Sequence, residues 1–119
     1  MDRFDVQFYS LPGGSEPARE FLDSLDKKMR TKLLRSMQLL EQSGNNLREP
    51  DSKHLSDGIF ELRAKVSSDI ARVLYFFMVG KRVIVTHGLI KKTKKTPPPE
   101  IERARKYRAE YLSRKEDAK

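Results

Sequence analysis

Apolar residues fall at every second position near the start of the chain. Phe4, Val6 and Phe8 alternate with Asp5 and Gln7, the period of a strand with one buried face over residues 4–9. Leu-Pro-Gly-Gly-Ser at 11–15 breaks the run, and the spacing then becomes helical. Ser15 is the expected N-cap of a first helix, with Glu16 and Pro17 in its first turn and Phe21, Leu22 and Leu25 on its apolar side. A second helix is predicted over about 26–43, where Met29, Leu33, Leu34, Met37 and Leu40 form one stripe and Gly44 supplies the stop. Such a stripe reads as core, the other reading being a groove for a partner.

Residues 45–58 are polar and rich in turn formers, and read as an ordered loop. Three strand-like runs follow at 59–65, 70–78 and 81–89, the last two joined by a tight turn at Val79 and Gly80. In the first run Phe60, Leu62 and Ala64 share a face opposite Glu61, Arg63 and Lys65. In the second, Arg72, Leu74 and Phe76 lie opposite Val73, Tyr75 and Phe77. Both sides are apolar, so this strand is expected at the centre of the sheet, with the two helices covering at least one face. Beyond the prolines at 97, 98 and 99, residues 100–114 form a polar helix whose weak apolar side is Ile101, Ala104, Tyr107 and Tyr111. It is expected to pack lightly.

These elements predict an α+β domain: an N-terminal strand, a helical hairpin, a three-stranded antiparallel meander completing a four-stranded, mostly antiparallel sheet, and a C-terminal helix. With 119 residues and 37% hydrophobic content the chain has room for one core, hence a single domain over 1–119. Cysteine is absent, which excludes disulfides and thiolate metal sites. No apolar run approaches the ~20 residues of a membrane span, and the start of the chain does not read as a secretion signal. A cytoplasmic protein without membrane contact is expected.

Charge is distributed unevenly. Residues 1–80 hold 12 basic and 12 acidic residues, whereas 81–119 hold 13 and 5, so the net charge of +8 arises from the last third. Its densest part is Lys91, Lys92, Lys94 and Lys95, set between a strand and a proline stop. Such a cluster attracts a polyanion by counterion release, or is simply a solvated basic face.

Candidate chemistry gathers around this run. With the helices on one face of the sheet, Arg63 and Arg72 are expected on the other, where two guanidiniums form a clamp for phosphate oxygens. The alternative is a structural network in which they pair with Glu61 and Asp69. His87, four residues before the lysines, and His54, behind Lys53, are the two histidines and the natural proton carriers near neutrality. Acidic residues do not cluster as a metal site requires, and no P-loop, G-x-G-x-x-G or G-x-S-x-G is present. No metal or organic cofactor is expected.

The tracts Phe-Glu-Leu-Arg at 60–63, Ala-Arg-Val-Leu-Tyr at 71–75, Thr-His-Gly-Leu-Ile-Lys-Lys-Thr-Lys-Lys-Thr-Pro at 86–97 and Glu-Ile-Glu-Arg-Ala at 100–104 carry a family likeness. The chain resembles, over nearly its whole length, the phage-related HigB-like branch of the RelE/ParE toxin superfamily. That resemblance implies the toxin of a type II toxin–antitoxin system, a ribosome-dependent endoribonuclease cutting messenger RNA and silenced by a small DNA-binding, HigA-like antitoxin. On this reading Arg63 and Arg72 hold the scissile phosphate, and His87 or a lysine such as Lys91 or Lys92 moves protons. Lys53, His54, Lys94 and Lys95 bind RNA. Two other readings stay open: a toxin of the same fold that inhibits DNA gyrase, and a basic RNA- or ribosome-binding module without catalysis.

Overall fold

The computed structural model describes residues 3–117. The N-terminal alternation becomes β1 (Asp5–Phe8), followed by a helical hairpin of α1 (Pro17–Ser24) and α2 (Lys27–Ser43). α1 begins one residue later than a Ser15 cap requires. Glu16 occupies the N-cap position without a side-chain bond, and the Ser15 carbonyl accepts from Leu11 N–H at 2.8 Å in the preceding turn. α2 is capped as its sequence permits, with the Asp26 carboxylate accepting from Met29 N–H at 2.9 Å. Arg30 locks the elbow between the helices by donating to the carbonyls of Leu22 and Leu25 at 2.9 and 2.7 Å. Gly44 ends α2 at φ +52°, where an added Cβ would lie 2.0 Å from the Phe4 ring.

The sheet has five strands, β1, β2 (Ser52–Ser56), β3 (Ile59–Val66), β4 (Asp69–Met78) and β5 (Arg82–Lys91), in the order β1-β5-β4-β3-β2, rather than the four expected. β3, β4 and β5 form the predicted antiparallel meander. The additional strand, β2, lies inside the segment that reads as a loop. Its inward residue is Ser52, buried by a 2.6 Å hydroxyl–hydroxyl bond to Tyr75 instead of by apolar contact. Local hydrophobic alternation therefore does not reveal it. β1 runs parallel to β5, from Asp5 opposite Arg82 to Phe8 opposite Val85, so the sheet is mixed.

β4 sits at the centre and is covered on both faces. Leu62, Ala64, Val73, Tyr75, Val83 and Val85 pack beneath Leu22, Met29, Leu33 and Leu40 of the hairpin. The other face meets α3 (Pro98–Asp117): Ile59, Leu74, Phe76 and Ile84 pack with Tyr9 and Ala104, flanked by Tyr107 and Tyr111. The expected weak apolar side of α3 is thus a core element, and this face of the sheet is not free. The rings of Tyr9 and Tyr107 stack at 4.8 Å, and Tyr9 Oη donates to Glu110 at 2.6 Å.

One irregularity decides where the candidate residues point. In the β4–β5 ladder Leu74 pairs with His87 and Tyr75 with Val85, leaving Thr86 as a bulge. Strict alternation would place His87 on the Val85 side, in the hairpin core. The bulge turns it to the α3 face and puts Gly88 on the hairpin side, where the Phe21 ring lies 2.2 Å from the position of an added Cβ.

Candidate functional site

β5 ends at Lys91 and α3 begins at Pro98, so the lysine run spans the end of a strand and the loop leading to a helix. The anchors of this loop come from β3 and β4. Arg63 and Arg72 stand directly opposite each other in the ladder, on the α3 face, as their alternation implies. Arg72 is 0% exposed; its Nη1 donates to Thr96 Oγ1 at 2.9 Å and its Nη2 to the Thr93 carbonyl. Thr96 in turn donates to Glu61 Oε1, and Glu61 Oε2 receives the Arg63 guanidinium. Arg63 also donates to the Lys94 carbonyl. Glu61, Arg63 and Arg72 therefore hold the loop at Thr93, Lys94 and Thr96, while Lys91, Lys92, Lys94 and Lys95 remain exposed.

This arrangement corrects the two-arginine clamp. The arginines are adjacent, but Arg72 is buried and two of its nitrogens are committed to the loop. Its Nε is buried without a partner among the described residues. Burial lowers the Arg72 pKa below its ordinary value, and the Glu61 carboxylate counteracts the shift. Arg63, at 20% side-chain exposure, is the more accessible of the two, with Nε on Glu61 and Nη2 on the Lys94 carbonyl. The alternative pairing with Glu61 is present for Arg63; among the described residues Asp69 forms no ion pair with either arginine.

His87 is also repositioned. The residue is 1% exposed, with Nδ1 3.1 Å from the Thr86 hydroxyl, Nε2 3.0 Å from Glu100 Oε1, and the Tyr107 ring edge-on at 5.7 Å. Burial, followed by the charge of Arg103, lowers its pKa to about 4 despite Glu100. The imidazole is therefore neutral at physiological pH and shielded from any phosphate outside. Glu100 lies above it in the first turn of α3, 28% exposed, with the Arg103 guanidinium 3.8 Å from the same carboxylate oxygen.

Lys53 and His54 lie on the edge strand β2, opposite Glu61 and Phe60. His54 packs 4.9 Å from the Phe60 ring and accepts from Gly58 N–H at 3.2 Å. Both residues line a cavity of about 430 Å³ with Arg48, Glu49 and Phe60. Glu49 also borders a groove of about 540 Å³ that contains Arg63, Lys65 and Lys94. The two cavities meet at Glu49, one lined by Lys53 and His54 and the other by Arg63 and Lys94; His87 lines neither.

Sequence reasoning named Glu61 in the alternative pairing, on the alternating side of Arg63, but missed two contributors: Thr96 as the link from Glu61 and Arg72 to the loop, and Glu100 as the partner of His87. Thr96 and Glu100 depend on the path of the chain after β5, which local spacing does not report.

A mixed sheet with a helical hairpin on one face, a terminal helix on the other and a pinned, exposed lysine loop defines a small basic α+β domain. A phage-derived family described as Gp49-like (DUF891) matches residues 20–109, and the chain belongs to it. That family is one of RelE/HigB-like toxins. Comparison with individual curated sequences gave no match. Among the described residues, no helix is long and apolar enough to cross a membrane.

Proposed function

We propose that the protein is the toxin of a type II toxin–antitoxin pair, of the HigB-like kind, and cleaves messenger RNA on the ribosome without a metal ion. A HigA-like, DNA-binding antitoxin would hold it inactive in the cytoplasm. The observation that carries this reading is the lysine loop fastened by Arg63, Arg72, Glu61 and Thr96. A flexible basic tail would attract RNA as well, but it could not hold a phosphate in register with reacting groups.

In the proposed reaction the ribose 2′-oxygen attacks its own 3′-phosphorus and the bond to the 5′-oxygen breaks, leaving a 2′,3′-cyclic phosphate and a 5′-hydroxyl. Arg63 faces the phosphate and stabilises the charge that develops on it. Lys91 and Lys92 flank the phosphate, one of them placed to protonate the leaving oxygen. Glu100 is the acceptor for the 2′-OH proton. Arg72 acts as a positioning residue through the loop, and His87 orients Glu100. Lys53, His54, Lys94 and Lys95 hold the strand on either side.

Primer extension along a translated messenger tests this reading. Wild-type protein is expected to produce codon-linked cuts only when ribosomes are present, and Arg63→Ala to reduce them roughly 100-fold while remaining folded. Growth inhibition with intact messenger and poisoned gyrase would replace the nuclease with a gyrase inhibitor. Ribosome binding without cuts would leave a binding module.

A further inference from the structure

The cations of the charge-balanced part of the chain are not balanced where they lie. Between Asp26 and Glu41 the sequence holds five basic residues and no acidic one. Arg30 turns inward to the carbonyls at the end of α1. Lys27, Lys28, Lys32 and Arg35 are exposed and, with Thr31, line a shallow cavity of about 550 Å³. Among the described residues none of these four joins an ion pair. On α3 the opposite holds, because Arg103, Arg105, Arg108 and Arg114 all lie within 4.0 Å of carboxylates on Glu100, Glu102, Asp57 or Glu110. α3 holds six basic and five acidic residues and largely neutralises its charge locally, while α2, with five basic residues against Glu41 alone, presents its charge to solvent.

This face is continuous with the lysine loop. Lys32 and Arg35 also line the groove that holds Arg63, Lys65 and Lys94, and Lys32 Nζ donates to the Lys65 carbonyl. Lys28, Lys32 and Arg35 fall at i, i+4 and i+7, a row rising about 10 Å along the helix axis. A row of charges suits a linear polyanion better than a single phosphate.

We propose that the outer face of α2 is a second RNA contact, docking the sugar–phosphate backbone of a folded RNA beside the strand held at Arg63 and Lys94. The inference rests on RNA being the partner of the loop. It adds a surface that the sequence's overall charge distribution points away from. Contacts of this kind set affinity and orientation and carry no base specificity.

The test measures binding of the full chain to a fluorescein-labelled RNA hairpin by anisotropy across a KCl titration. Each lost phosphate contact lowers the slope of log K against log salt by about 0.7–0.9. A Lys28→Glu/Arg35→Glu double variant is expected to lower it by roughly 1.5 and to bind about tenfold more weakly at moderate salt. Lys106→Glu, an equal charge change per residue at an exposed α3 site, is expected to keep the wild-type slope. Lys28→Gln/Arg35→Gln, with an unchanged melting temperature, is expected to reduce the slope in the same direction. A wild-type slope in both α2 variants overturns the inference. So does an equal loss of binding to polyglutamate, which would assign the face to acidic proteins. If an Arg63→Ala/Lys94→Ala variant also keeps the wild-type slope, the RNA reading of the loop falls as well; if it loses slope while the α2 variants do not, only the α2 surface is wrong.

Discussion

Replacing Glu61 with alanine is expected to destabilise the protein by about 3–5 kcal/mol, a large share of the stability of a domain this size. Glu61 is fully buried, receives Arg63 and Thr96, and is the carboxylate that counters the buried Arg72 charge. Removing it leaves a guanidinium out of water with only a threonine hydroxyl and a carbonyl as acceptors. Urea denaturation of the variant measures the loss directly. A Glu61→Leu/Arg72→Leu double variant is expected to recover much of it, because removing both charges also removes the desolvation cost. Equal destabilisation of the single and double variants would show that the charges do not interact.

The functional consequence concerns Arg72. Its side chain ties down Thr93 and Thr96, so Arg72→Ala is expected to release the lysine loop and reduce activity without Arg72 ever touching RNA. A stability measurement beside the activity assay distinguishes this from loss of a catalytic group.

Lowering the pH from neutrality is expected to destabilise wild-type protein more than a His87→Gln variant, by on the order of 3 kcal/mol once pH 4 is reached. The sign follows from proton binding. Burial lowers the folded-state pKa of His87 from 6.5 to about 4, so between these values the unfolded chain takes up a proton that the native state refuses. The stabilisation is complete above pH 6.5 and is lost as the pH falls towards 4. Comparing denaturation midpoints of the two proteins at pH 7 and pH 4 isolates the contribution, since other titrating groups are common to both. An equal pH dependence would mean that His87 is solvated. The same burial makes it a support for Glu100 rather than an open proton carrier.

The elements legible in the sequence were those that bury one regular stripe. β1, both hairpin helices, the three strands of the meander and the terminal helix all follow from apolar spacing. β2 escaped because Ser52 is buried through a hydrogen bond to Tyr75. The parallel pairing of β1 with β5 was not legible either, since alternation along a strand does not say which strand lies beside it. At the site, strand phase placed Arg63 and Arg72 together and set Glu61 on their side. It could not show that Arg72 faces Thr96 beneath the loop, and the Thr86 bulge overrode the phase that would have put His87 in the hairpin core. Net charge misled in one respect: the arginines of α3 are paired, and the unpaired cations of α2 lie in a segment that a simple count treats as neutral.

The most direct test of RNA cleavage at the Arg63–lysine loop is end-group analysis of messenger incubated with purified protein and programmed ribosomes in a magnesium-containing buffer. Wild-type protein is expected to leave 2′,3′-cyclic phosphate and 5′-hydroxyl ends, and folded Arg63→Ala to leave almost none. Fragments ending in 3′-hydroxyl and 5′-phosphate, or cleavage unchanged in Arg63→Ala, would contradict it.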